Sequence, residues 1–141
     1  MSHEELKLPG GDILIVAGDM LGHGTYDELI SFNKWLRVQD YKHKVVVAGN
    51  HDFACTDPNF ARKMLECEYL HHEQKTIAGL KIFGSPWTPA FGYWAMMYDR
   101  PTKLWNAIPD DTEILVTHGP AYGGLGVTEN SVYGPSEDAV L

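Results

Sequence analysis

Three uninterrupted apolar runs, Ile13-Leu14-Ile15-Val16-Ala17, Val45-Val46-Val47-Ala48 and Ile114-Leu115-Val116, each end on a short polar signature. The signatures are Gly18-Asp19, Gly49-Asn50-His51-Asp52 and Thr117-His118-Gly119-Pro120. Runs this short, continuous and rich in β-branched residues predict buried strands rather than amphipathic helices. Such strands are usually parallel and covered on both faces. In open α/β sheets ligands bind beyond the carboxyl ends of the strands. Asp19, Asn50, His51 and His118 are therefore expected together at one end of a mainly parallel sheet, with three potential metal ligands on one rim.

The rest of the chain alternates helical and extended patterns without repeat, linker or low-complexity tract, which predicts one α/β domain over residues 1–141. Between Asp27 and Val38, Leu29, Ile30, Phe32, Trp35 and Leu36 form a helical stripe, of which Leu29, Phe32, Trp35 and Leu36 are expected to face the sheet. Thr25 is placed as its N-cap, with Asp27 and Glu28 in the first turn. Pro58 to Cys67 predicts a second helix, capped by Asp57 and opened by Pro58. Tyr69 to Phe83 is extended, with a turn at Ala78-Gly79, and predicts an antiparallel hairpin in a second sheet. Pro101 to Ile108 predicts a short helix before the last strand. Beyond Pro120, Gly123, Gly124, Gly126 and Gly134 predict a loop, with a helix starting near Ser136.

Composition narrows the function classes. A chain of 141 residues with 44% hydrophobic content suits one real core. A net charge of −8 with no Lys/Arg cluster disfavours bulk nucleic acid as a partner. Cys55 and Cys67 form no Cys-x-x-Cys pair and are expected to be reduced thiols, which points to the cytoplasm. No apolar stretch approaches the roughly 20 residues of a membrane span. The start, Met1-Ser2-His3-Glu4-Glu5, is acidic, unlike a signal peptide.

Residue chemistry narrows them further. Asp19 offers a carboxylate able to bridge two cations, Asn50 a neutral carbonyl oxygen and His118 an imidazole nitrogen. A mixed oxygen and nitrogen shell suits manganese, iron or zinc better than calcium. Two cations about 3.5 to 4 Å apart clamp a phosphoryl oxygen and acidify a bridging water. His51 is assigned to the leaving group, as proton donor or positive charge, and Asp52 to orienting its imidazole. Taken alone, Asp19 reads as a turn residue and His118 as a surface or core histidine; their ordered company is what argues otherwise. His23, in the Gly22-His23-Gly24 loop, is a substrate-binding candidate close enough in sequence to Asp19 to approach the metal or substrate, with the plainer reading of a solvated loop histidine favoured. His71 and His72 are neighbours in an extended segment and face opposite sides, so they are not expected to share an ion. Trp87, Phe91 and Trp94 lie in an aromatic segment that serves either as a stacking wall for a substrate or as a rigid loop over the sheet edge.

The ordered motifs resemble the calcineurin-like metallophosphoesterase superfamily, whose signatures run Asp-x-His, Gly-Asp, Gly-Asn-His-Asp/Glu, a lone His and Gly-His-x-His. Within it, Leu8-Pro9-Gly10-Gly11-Asp12-Ile13-Leu14, Phe32-Asn33-Lys34-Trp35-Leu36, Gly84-Ser85-Pro86-Trp87-Thr88-Pro89 and Thr117-His118-Gly119-Pro120 are similar to the small metallophosphoesterase-domain group of fetal-brain type. The resemblance covers nearly the whole chain. It implies a metallophosphoesterase-like β-sandwich flanked by helices, and a hydrolase of small, nucleotide-like phosphodiesters or phosphomonoesters. The first and last signatures are absent, and His3 does not replace the first. The resemblance therefore implies a domain truncated at both ends, one divalent ion in place of two, and completion by another segment or by dimerisation. The alternative is a catalytically silent domain that keeps a nucleotide-binding or interaction surface.

Overall fold

The computed structural model describes residues 3–90, 92–99 and 102–119. Its first sheet joins β1 (Gly11–Ala17), β2 (Tyr41–Val47) and β3 (Glu68–Tyr69), all parallel, in the order β1-β2-β3. Val45, Val46 and Val47 are all fully buried because β2 is covered on both sides. Side chains alternate along a strand. Val45 and Val47 accordingly join Leu70, Ile77, Ile82 and Val116 in a cluster between the two sheets, while Val46 joins a larger cluster under the helices. That double covering is why the run carries no polar position.

Helix α1 (Tyr26–Arg37) starts at Thr25 with a full capping box: the Thr25 hydroxyl accepts from the Glu28 N–H, and the Glu28 carboxylate accepts from the Thr25 N–H. Leu29, Phe32 and Leu36 are buried and Trp35 packs at their margin, so the expected stripe faces inward; Ile30 stands off it, 39% exposed. Helix α2 (Pro58–Met64) is capped by Asp57, whose Oδ1 accepts from the Asn59 and Phe60 N–H groups. It stops short of Cys67 because Leu65 has left the helical region, at φ −92° and ψ 131°.

The second sheet holds β4 (Glu73–Ile77), β5 (Leu80–Ser85) and β8 (Ile114–Thr117), in the order β4-β5-β8. Between them in the chain lie a two-residue pair, β6 (Thr88–Pro89) and β7 (Met97–Tyr98), and a single-turn helix α3 (Thr102–Trp105). Strands β4 and β5 form the expected hairpin, with Ala78 (φ 52°) and Gly79 (φ 83°) giving the doubly left-handed two-residue turn that matches strand twist. Tyr69 departs from that hairpin. It pairs with β2 in the first sheet, its ring is buried in the helix-side cluster, and its hydroxyl donates to the Cys55 carbonyl at 3.1 Å.

The three signature strands do not lie in one sheet as expected. β8 runs parallel to β5 in the second sheet, and the two sheets pack closely enough that a Cβ on Gly84 would meet Leu70 and Val47. β1 also differs from a doubly covered strand: Ile15 is 38% exposed, and among the described residues β1 is the edge of its three-stranded sheet. The helix read over 101–108 shrinks to α3, and the loop and helix read beyond Pro120 lie outside the described residues. Among the described residues no helix is long and apolar enough to cross a membrane.

His71 and His72 take different partners, but they lie in a bend ahead of β4, with His72 left-handed at φ 57°, and not in the extended segment expected. His71 meets the Trp87 ring edge-on at 5.2 Å, and His72 meets Phe83 edge-on at 5.2 Å with its Nδ1 3.1 Å from the Ser85 hydroxyl. Burial holds both imidazoles below the ordinary histidine value of 6.5, and Arg62 lowers His71 further against the opposing pull of Glu73. A histidine depressed in the fold gives stability that is complete above its unfolded value and is lost as pH falls below it. The melting temperature is therefore expected to drop as pH falls below 6.5. In a His71→Gln/His72→Gln variant the same thermal scans should show a flatter pH dependence.

Candidate metal centre

Two glycines let three loops meet. Gly18 follows β1 at φ 90°, and a Cβ there would run into the His118 ring and lie 3.0 Å from the Gly49 Cα. A Cβ on Gly49 would strike the Asp19 carboxylate and backbone nitrogen and the His118 ring. Only hydrogen fits at either point, so the ends of β1, β2 and β8 close on one another although β8 belongs to the other sheet. Asp19 itself lies in the left-handed region, φ 53°, a conformation costing roughly 1 kcal/mol for a non-glycine residue. Its Oδ1 accepts the His51 N–H at 3.0 Å, a bond across the two loops that helps to hold it there.

The His118 ring carries the strongest evidence for a cation. Its Nδ1 lies 3.0 Å from the Ala17 carbonyl oxygen, which can only accept, so Nδ1 bears the proton and Nε2 is left with a lone pair. That lone pair faces Asn50 Oδ1 at 2.9 Å and Asp19 Oδ1 at 3.3 Å. An imidazole lone pair, an amide oxygen and a carboxylate oxygen aimed at one point form a donor set that a metal ion would bridge. The Asp19 side chain is 39% exposed and that of His118 16%, so the point is reachable from solvent. Among the described residues no group of three or more His, Cys, Asp or Glu side chains comes together; this set has one carboxylate, one imidazole and one amide.

His51 sits beside this set. Its Nδ1 lies 2.9 Å from the Gly22 carbonyl oxygen and therefore donates, leaving Nε2 as the free ring nitrogen. Its ring stacks on Trp94, with centroids 4.5 Å apart and planes 30° apart. Asp52 does something other than orient that ring. It is fully buried, with Oδ2 accepting the Gly49 N–H at 2.6 Å and Oδ1 the Leu21 N–H at 2.9 Å, so it clamps the loop after β2 to the loop after β1. Burial pushes the Asp52 carboxyl up to about 6, the two N–H bonds pull it down, and the Asp19 charge pushes it up again.

The remaining expected site residues are scattered. His23 is largely exposed and lies at the cap of α1: its N–H reaches both Glu28 oxygens at 3.0 Å and its Nδ1 is 3.4 Å from Oε1. N–H groups of Thr25 and His23 hold the Glu28 carboxyl down at about 2. The ring partners of Trp87 are His71 and Tyr98, at 5.2 and 5.7 Å, and it packs on the helix-side cluster. Phe91 lies outside the described residues. Of the aromatic set, Trp94 is the one in contact with His51. The orienting groups that the sequence reading did not include are the carbonyls of Ala17 and Gly22, and a backbone carbonyl has no residue signature.

The family model for calcineurin-like phosphoesterases matches residues 3–140. Human metallophosphoesterase domain-containing protein 1 is 33% identical over 151 aligned residues, covering 86% of this chain and 46% of that protein. A probable rhamnogalacturonate lyase C of Emericella nidulans is 41% identical over 129 residues, 81% of this chain and 12% of its own length. A UPF0046 protein of Caenorhabditis elegans is 33% identical over 145 residues, 88% of this chain and 50% of its own length. The chain thus spans about half the length, or less, of these relatives. With a match over 3–140 and the Gly18-Asp19, Gly49-Asn50-His51-Asp52 and His118 signatures meeting in space, the chain belongs to the calcineurin-like phosphoesterase family.

Proposed function

We propose that this chain hydrolyses small phosphodiesters or phosphomonoesters of the nucleotide kind, in a metal-dependent reaction. The observation that supports this most is the convergence of His118 Nε2, Asn50 Oδ1 and Asp19 Oδ1 on one solvent-reachable point. A divalent cation held by these three, manganese, iron or zinc by the donor set, would supply pull on a phosphoryl oxygen and an acidified water. The chain's own groups do the rest. His51, fixed through Nδ1 to Gly22, keeps Nε2 clear; in its imidazolium form it would give the Nε2 proton to the departing oxygen and be left neutral with Nδ1 still donating to Gly22. Trp94 and Phe53, both exposed and with ring centroids 6.5 Å apart, offer aromatic surface on the His51 side for a planar leaving group. A net charge of −8 disfavours a long polyanion and leaves a small ester as the better substrate.

The test is release of p-nitrophenol from bis-p-nitrophenyl phosphate with added manganese. His51→Ala is expected to lower kcat by about 10²-fold, the low end of the usual worth of a positioned acid, because nitrophenolate departs with little help from a proton. Metal content, read by elemental analysis, should stay unchanged, because His51 offers no atom to the three-ligand set. No manganese-dependent release from the folded chain would contradict the reading.

A further inference from the structure

The loop between Thr88 and Tyr98 is tied to the candidate site at more points than a covering loop needs. The Ala95 N–H donates to the Asn50 carbonyl at 3.0 Å, joining the loop to the backbone of a candidate ligand. Ala95 and Met96 are buried, 4% exposed each, beneath the exposed Trp94. Met96 lies at φ 55°, and its carbonyl accepts from the Thr88 N–H at 2.9 Å and the Thr88 hydroxyl at 3.3 Å. A left-handed non-glycine residue held this way is over-determined by its surroundings. The loop therefore presents Trp94 at a fixed height over the Asn50-His51 turn.

Trp94 meets the His51 imidazole nearly face to face, at 4.5 Å and 30°. The His51 ring then has one hydrogen bond, to Gly22, and one stacked wall. The bond holds one edge of the imidazole, and the indole face lies against rotation of the ring about Cβ–Cγ, the soft torsion that decides where Nε2 points.

We infer that Trp94 is a positioning residue for His51, acting on the proton-donating step rather than mainly by stacking on the substrate. The inference rests on the phosphoesterase reading for its kinetic consequence and on ring geometry alone for its physical content.

The experiment uses Trp94→Leu, Trp94→Phe and His51→Ala with two substrates, bis-p-nitrophenyl phosphate and diphenyl phosphate. Phenolate is the poorer leaving group and depends more on a proton donor. Trp94→Leu is expected to lower kcat for the phenyl ester by about 10- to 100-fold, the scale of a misplaced catalytic group, with a smaller loss for the nitrophenyl ester and little change in KM. Trp94→Phe should recover most of the loss, and Trp94→Leu should add nothing in the His51→Ala background. An NMR readout stands apart from activity: the His51 ring protons, assigned through His51→Ala, should carry an indole ring-current shift that Trp94→Leu removes. His51 resonances that do not move in Trp94→Leu overturn the inference whatever the kinetics. A raised KM with unchanged kcat would also overturn it, in favour of substrate stacking. An inactive wild type with the ring-current shift intact would sink the phosphoesterase reading and leave the ring positioning in place.

Discussion

Asp19→Asn is expected to abolish metal binding and metal-dependent hydrolysis together while leaving the fold standing. Asp19 is the one anion in the candidate set, and its Oδ1 lies 3.3 Å from His118 Nε2. Replacing it by an amide removes the charge that a divalent cation is attracted to. Changes in the groups around metal ligands already cost 10- to 100-fold in affinity, so loss of the charged ligand should cost at least about 100-fold. Asparagine tolerates the left-handed backbone at φ 53° and keeps an oxygen for the His51 N–H, so little stability should be lost. Manganese content and the thermal unfolding midpoint, measured on the same sample, separate the two effects. A variant that unfolds rather than losing metal would make Asp19 a structural residue.

The second large effect belongs to Gly49. In Gly49→Ala the new methyl would overlap the Asp19 carboxylate and backbone nitrogen and the His118 ring, and backbone cannot move aside as a flexible side chain can. Overpacking of this kind typically costs about 1–3 kcal/mol. The larger consequence is expected in kcat, where a ligand displaced by about 1 Å can cost 100-fold. Gly79→Ala is the matched control: it sits at φ 83° with nothing within 4 Å, so it bears backbone strain without a clash. It should lose roughly 1 kcal/mol of stability and keep its activity. Chemical denaturation and steady-state kinetics on the two variants check this, and equal activity in both would mean the loops need not touch.

The parts of this fold visible in the sequence are those fixed by local chemistry. Thr25 with Glu28 three residues on, Asp57 before Pro58, and Ala78-Gly79 between two extended runs each determine their own backbone, and each appears where it was expected. The signature residues also meet, since Asp19 bonds the backbone of His51 and faces His118. Strand partnership was less legible. An apolar run states that it is buried, not by what, so the sequence does not show that β8 pairs with β5 in the other sheet and not with β1 and β2. For the same reason the extended pattern from Tyr69 onward does not show that two residues of parallel pairing carry Tyr69 to β2. Within the site, residue type and order predict that Asp19, Asn50 and His118 come together, as they do, but misdirect Asp52. A carboxylate next to a histidine looks like its partner, yet here its burial between two loops gives both oxygens to backbone N–H groups.

Calorimetric titration of manganese into the wild-type chain, Asn50→Ala and His118→Ala tests most directly whether Asp19, Asn50 and His118 hold a divalent cation. The account predicts one site in the wild type and affinity at least about tenfold weaker in each folded variant. Equal affinity in all three proteins, or no binding by the wild type, would contradict it.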